Sequence, residues 1–128
     1  MVSLDSSFLI DLLAAKRTAV DKARDIDRRG EPRWICAPVA SEVLLGAYYL
    51  GGAYLERTRA LVDSLPLLPF DRLAYHEVGR LGSELVRRGT PLGQSDLFVA
   101  AISLLNGERL VTRDSAFDRV PGLSIERY

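Results

Sequence analysis

Residues 1–13 read MVSLDSSFLIDLL. A short apolar run meets Asp5, two serines follow, and a second apolar run begins at Phe8. The first run reads as a buried strand ending at Asp5. Ser6 or Ser7 is then expected to cap a helix, because a serine hydroxyl accepts from free first-turn amides. Phe8, Leu9, Leu12 and Leu13 recur at helical spacing and give that helix an apolar face. A carboxylate at the seam of two core-bound segments is costly unless something positive meets it. Asp5 is therefore either a helix cap or part of a site.

The same alternation continues outward. TAVDKARDIDRR (18–29) reads as a charged, exposed helix ended by Gly30, and RWICA (33–37) as a second strand. Pro38 suits the first turn of a third helix, where its missing N–H costs nothing. Val39, Val43, Leu44 and Ala47 give that helix its core face, and LGG (50–52) breaks it. AYLERTRALVDSL (53–65) starts a fourth helix, and PLLPF (66–70) is a short strand. RLAYHEVGRLGSELVRR (72–88) is helical up to Gly89 and Pro91. SDLFVAAISLLNG (95–107) is a strongly apolar helix, and RLVT and LSIERY are the last strands. Short apolar strands alternating with helices imply an α/β fold with a parallel sheet covered on both faces. In such sheets the ligand crevice lies at the carboxyl ends of the strands, where strand order reverses.

Composition narrows the function. The chain has 128 residues, which suggests one domain spanning 1–128, and its 17 basic residues balance 17 acidic ones. No global field draws it to nucleic acid or membrane, so any anion-binding surface is local. Cys36 is the one cysteine, which excludes a disulfide framework and fits a reducing, cytoplasmic setting. Asp5 interrupts the N-terminal apolar run before a signal peptide's core can form, and no apolar stretch is long enough to span a membrane. There is no GxGxxG after a strand and no GK[ST] loop. His76 lies far from any GxSxG and reads as a structural or surface histidine. Tyr48, Tyr49 and Tyr54 suit a core or subunit-contact role.

Most carboxylates read as solvated: Asp21, Asp25 and Asp27 beside basic neighbours, and likewise Glu56, Asp63, Glu77, Glu84, Glu108 and Glu126. Four differ. Asp5 follows the first strand, Glu42 lies one helical turn beyond the second, Asp96 is in a first helical turn, and Asp114 comes two residues after RLVT. A doubly wound sheet brings such positions to one edge. Four bare anions cannot share a dry edge, and a divalent cation resolves the conflict. Zinc prefers Cys and His, so an all-oxygen set points to Mg2+ or Mn2+. A metal-bound water is then a nucleophile for phosphodiester hydrolysis.

LDSSFLIDLL (4–13), APVASEVLLGA (37–47), PLGQSDLFVAA (91–101) and RLVTRDSAFDRVPGL (109–123), in this order, resemble the PIN-domain family, and within it the VapC-type toxins of toxin–antitoxin pairs. The resemblance implies a three-layer α/β/α fold with a parallel five-stranded sheet. It also implies metal-dependent endoribonuclease activity with Mg2+, which Mn2+ is able to replace. Matched residue by residue, it assigns Asp5, Glu42, Asp96 and Asp114 to the catalytic and metal-binding cluster. Thr112 matches an accessory hydroxyl and Ser6 a small polar residue beside the first acid. Asp118 is a further acid ranked below the four, since FDRVPGL reads as the approach to the last strand. Arg113 is either a contact to an RNA phosphate or a surface residue. The implied partners are RNA, a second copy of the chain in a homodimer, and an antitoxin that blocks the site.

Two other readings remain open. One is a Mg2+-dependent phosphohydrolase with Asp5 as nucleophile, although LDSS has no second acid two residues on. The other is a non-catalytic partner-binding module, for which no metal-dependent stabilisation is expected.

Overall fold

The computed structural model describes all 128 residues. The chain runs β1 (Val2–Leu4), α1 (Ser6–Leu13), α2 (Arg17–Arg29), β2 (Arg33–Cys36), α3 (Ala37–Leu50), α4 (Gly52–Asp63), β3 (Leu67–Leu68), α5 (Arg72–Arg87), α6 (Gln94–Leu105), β4 (Arg109–Val111), a 3-10 helix (Ser115–Arg119) and β5 (Ile125–Glu126). Every expected strand and helix is present. The 3-10 helix was not expected: SAFDR turns once before the chain reaches β5.

The five strands form one sheet in the order β3-β2-β1-β4-β5, and every pairing is parallel. The chain therefore builds outward from β1 in one direction through β2 and β3. It then returns to β1's other side with β4 and β5. The gap between β1 and β4 is the point of reversal, where the crossovers diverge and leave a crevice at the strands' carboxyl ends. All three residues of β1 are buried. Successive side chains of a strand point to opposite faces, so the sheet is covered on both sides. Val2, Leu4, Leu110 and Val111 pack with Phe8, Leu9, Ile35, Val99, Ile102 and Phe117 in one continuous core.

Local signals explain the boundaries. Pro38 sits in the first turn of α3, where no helical hydrogen bond is lost. Gly30 ends α2 at φ +66°, a left-handed conformation that glycine adopts without a Cβ clash. Asp71 caps α5 by accepting from the Ala74 amide at 3.1 Å.

Three expectations need correction. Neither Ser6 nor Ser7 caps α1; Asp5 occupies that position, and α1 has no side-chain cap hydrogen bond. Glu108 is not solvated but buried, and burial raises its carboxyl pKa. Glu126 joins an ion-pair net, accepting from Arg29 at 2.9 and 2.8 Å, with Lys22 3.7 Å away. In both cases neighbours distant in sequence set the environment. His76 is on the surface, as expected. Tyr48 and Tyr49 are exposed rather than in the core. No helix is long and apolar enough to cross a membrane.

Candidate active site

The site begins where β1 ends. The Asp5 amide donates to the Val111 carbonyl of β4 at 3.1 Å, which fixes Asp5 at the reversal point. The residue is 4% exposed. At a helix N-cap a carboxylate ordinarily accepts from first-turn amides, and Asp5 does not. Its Oδ2 accepts instead from Ser7 Oγ at 2.9 Å and from Thr112 Oγ1 at 2.7 Å. Thr112 Oγ1 in turn accepts from the Asp114 amide at 3.0 Å. A relay from Asp114 N–H through Thr112 to Asp5 therefore locks one carboxylate oxygen, and both hydroxyls act on that oxygen alone. The helix-cap reading of Asp5 is set aside.

The three other acids gather around it. Asp5, Glu42, Asp96 and Asp114 line one cavity of about 490 Å3, together with Ser6, Ser7, Ile10, Arg113 and Ser115. Glu42 is exposed on α3, while Asp96 and Asp114 are half-buried. Asp114 also caps the 3-10 helix, its Oδ1 accepting from the Ala116 amide at 2.9 Å. Asp96 has its pKa raised, first by burial and then by the negative charges of Asp114, Asp5 and Glu42. The acids thus feel one another, and the one cation among the lining residues, Arg113, is paired outside the cluster.

Arg113 is the one basic residue lining this cavity, and its charge is already committed. Its Nε donates to Asp11 Oδ2 at 2.6 Å. Asp11, 2% exposed on its side chain, also meets Lys16 at 2.8 Å and the Tyr128 hydroxyl at 2.8 Å. Arg113 above all, with Lys16 and Tyr128, holds the Asp11 carboxyl well below the usual carboxylate range despite its burial. Tyr128 is pushed up to about 12, by burial first and by the bond to Asp11 second. Nothing local in the sequence marks Asp11 as a hub, because Arg113 and Tyr128 lie 102 and 117 residues away.

The accessory residues sort as follows. Thr112 contacts Asp5 as expected. Ser6 lines the cavity, but the serine bonded to Asp5 is Ser7; its position two residues after the acid was the available signal. Asp118 is exposed, pairs with Arg127 and is absent from the cavity lining.

The chain matches the PIN domain over residues 2–123. The chain belongs to the PIN-domain family. Over 78 residues it is 36% identical to the tRNA(fMet)-specific endonuclease VapC of Salmonella typhimurium, covering 57% of this chain and 59% of that protein. This PIN-domain chain is also similar to two solved structures. DNA-bound VapBC from Salmonella typhimurium matches with a TM-score of 0.81 and 27% identity, covering 99% of this chain and 98% of the other. VapBC2 from Rickettsia felis, bound to a promoter DNA fragment, matches in fold with a TM-score of 0.83 and 20% identity, covering 100% and 99%.

The donor set of the PIN-domain site suits a hard cation, since it offers only carboxylate and hydroxyl oxygens. No group of three or more Asp, Glu, His or Cys side chains stands ready to hold an ion. The donors fit an ion that keeps several waters and takes one or two carboxylates directly, which is the habit of Mg2+.

Proposed function

We propose that this PIN-domain protein is a Mg2+-dependent endoribonuclease, with Mn2+ able to replace Mg2+, and that it acts as the toxin of a type II toxin–antitoxin pair. The observation that carries this reading is the single cavity lined by Asp5, Glu42, Asp96 and Asp114. The likeness to VapC of Salmonella typhimurium supports it.

Asp5, Asp96 and Asp114 would hold the cation directly or through its waters. Bound there, the ion would offset the carboxylates' charge and the charge that builds on phosphorus, and would acidify a water. The rest falls to the chain. Ser7 and Thr112 occupy Oδ2 of Asp5 and so leave Oδ1 as the oxygen to meet an ion. Asp114 is aligned by its amide bond to Thr112 and by its cap on Ala116. Glu42, exposed on α3, has the freedom to take a proton from the attacking water, as a general base does.

The proposed setting is cytoplasmic, with an antitoxin partner and a homodimer. The VapBC architecture of the Salmonella neighbour supports the antitoxin. Tyr48 and Tyr49, 60% and 89% exposed on α3, supply apolar surface for a protein contact.

The test is cleavage of total RNA and of purified initiator tRNA, the substrate named for the Salmonella relative. Discrete cuts are expected with Mg2+ or Mn2+, with none in EDTA or with Asp5→Asn. Cleavage that persists in both controls overturns the reading. Capture of a phosphate analogue on Asp5 would favour a covalent phosphohydrolase instead.

A further inference from the structure

A second cavity, of about 660 Å3, adjoins the acid cluster, and Glu42 lines both. Its walls are mostly apolar: Pro38 and Leu45 from α3, Phe70 from the turn before α5, and Phe98 from α6. The Phe70 and Phe98 rings lie 5.2 Å apart, tilted by 52°. Ser41, Gln94 and Ser95 add hydroxyl and amide groups. We propose that this groove is a nucleobase subsite. It receives one base of the RNA strand beside the bond cut at the acid cluster, packed against Phe70 and Phe98. The inference rests on the endoribonuclease reading and adds to it a determinant of base preference.

Three observations favour a base as the occupant. The first is adjacency: Ser41 faces the groove beside Glu42, and Gln94 and Ser95 face it directly before Asp96. Both α3 and α6 thus pass from groove to acid cluster within one or two residues, so a strand with its phosphate at the acids has a flanking base at the groove. The second is charge. The chain is neutral overall, four acids repel the incoming phosphates, and Arg113 is tied to Asp11. A grip on RNA at this point has to come from something other than attraction to phosphate, and stacking on aromatic rings supplies it for any base. The third is the lining itself. The volume falls in the ordinary range of small-ligand sites, about 300–1,000 Å3, and such sites pair apolar walls with a few polar groups. The Gln94 amide both donates and accepts, as reading a base edge requires.

The experiment uses short oligoribonucleotides that span a mapped cut, each with one 2-aminopurine, whose emission falls when it stacks. Titration with the whole chain in EDTA reports binding without cleavage. Emission is expected to fall at one position next to the cut. In Phe70→Ala the affinity of that oligonucleotide should weaken about tenfold, and in Phe70→Tyr it should be kept. Phe70 is 44% exposed, so its truncation leaves the core intact. With Mg2+ present, Phe70→Ala should raise KM about tenfold with kcat little changed, and Gln94→Ala should alter which base flanks the cut. Emission and KM that ignore Phe70→Ala overturn the subsite. So does a Phe70→Ala chain that loses self-association while its KM holds, because the groove is then a contact between copies. Phe70-dependent quenching by a chain whose cutting survives Asp5→Asn removes the acid-cluster reading and leaves a base subsite; Asp5-dependent cutting without Phe70-dependent quenching does the reverse.

Discussion

Thr112 and Asp5, 107 residues apart, are joined by a buried hydrogen bond of 2.7 Å from Oγ1 to Oδ2. The bond ties the end of β4 to the end of β1 at the reversal point of the sheet. It turns the Asp5 carboxylate away from the α1 amides it could have capped. Two strands that are only neighbours in the fold thereby share one acidic site.

Thr112→Val keeps the shape of the side chain and removes the bond. Asp5 Oδ2 then has only Ser7, and the Asp114 amide loses its acceptor. Unsatisfied buried groups of this kind cost about 1–3 kcal/mol. Denaturant unfolding should show a loss of that size. Cleavage should fall about 10–100-fold, the usual effect of removing a partner that orients a metal ligand. Thr112→Ser should keep most of both.

Asp96 gives a pH-dependent prediction. Its folded pKa is raised by burial and by Asp114, Asp5 and Glu42. An acid with a raised folded pKa binds its proton more tightly in the native state, so its effect on stability worsens as pH climbs through the interval above its unfolded value of about 3.9. The favourable helix dipole at this first-turn position is outweighed. In EDTA, Asp96→Asn should therefore melt above the parent at pH 7, with the gap closing as pH falls toward about 4. A variant that melts lower at pH 7, or a gap unchanged by pH, contradicts the crowding of the four acids.

Asp11 carries the opposite sign. Arg113, Lys16 and Tyr128 hold its folded pKa low, so it stabilises the fold above its unfolded pKa and loses that effect as pH falls through the depressed folded value. Asp11→Asn should cost about 1–2 kcal/mol at neutral pH, the modest figure reflecting two solvent-exposed cationic partners. The difference should shrink progressively below about pH 4. Urea unfolding of both chains across this range measures it.

The fold was readable because its signals are local. VSL before Asp5, Pro38 at a helix start and Gly30 at a helix end each act within a few residues, and the strand–helix alternation then requires a parallel sheet. Asp5, Glu42, Asp96 and Asp114 could be singled out because strand ends and first turns converge in such a sheet. What escaped depends on long-range partners. Ser7 rather than Ser6 reaches Asp5 because of where the first turn of α1 points. Asp11 looks like an ordinary polar residue on an apolar helix until Arg113 and Tyr128 arrive from the far end of the chain. Glu108 sits among charged and polar neighbours in sequence yet is buried in the fold. The groove at Phe70 and Phe98 joins a loop to a helix 28 residues on, and no spacing rule announces such a pair.

We propose that four acids from separate parts of the chain act as one cation site. Mn2+ binding followed by electron paramagnetic resonance tests it directly, because free and bound ions give different signals. Saturable binding by the parent chain is expected, severely weakened in Asp5→Asn and in Asp96→Asn separately, although the two residues are 91 positions apart in sequence. Unchanged Mn2+ affinity in either variant, or no saturable binding by the parent chain, would contradict it.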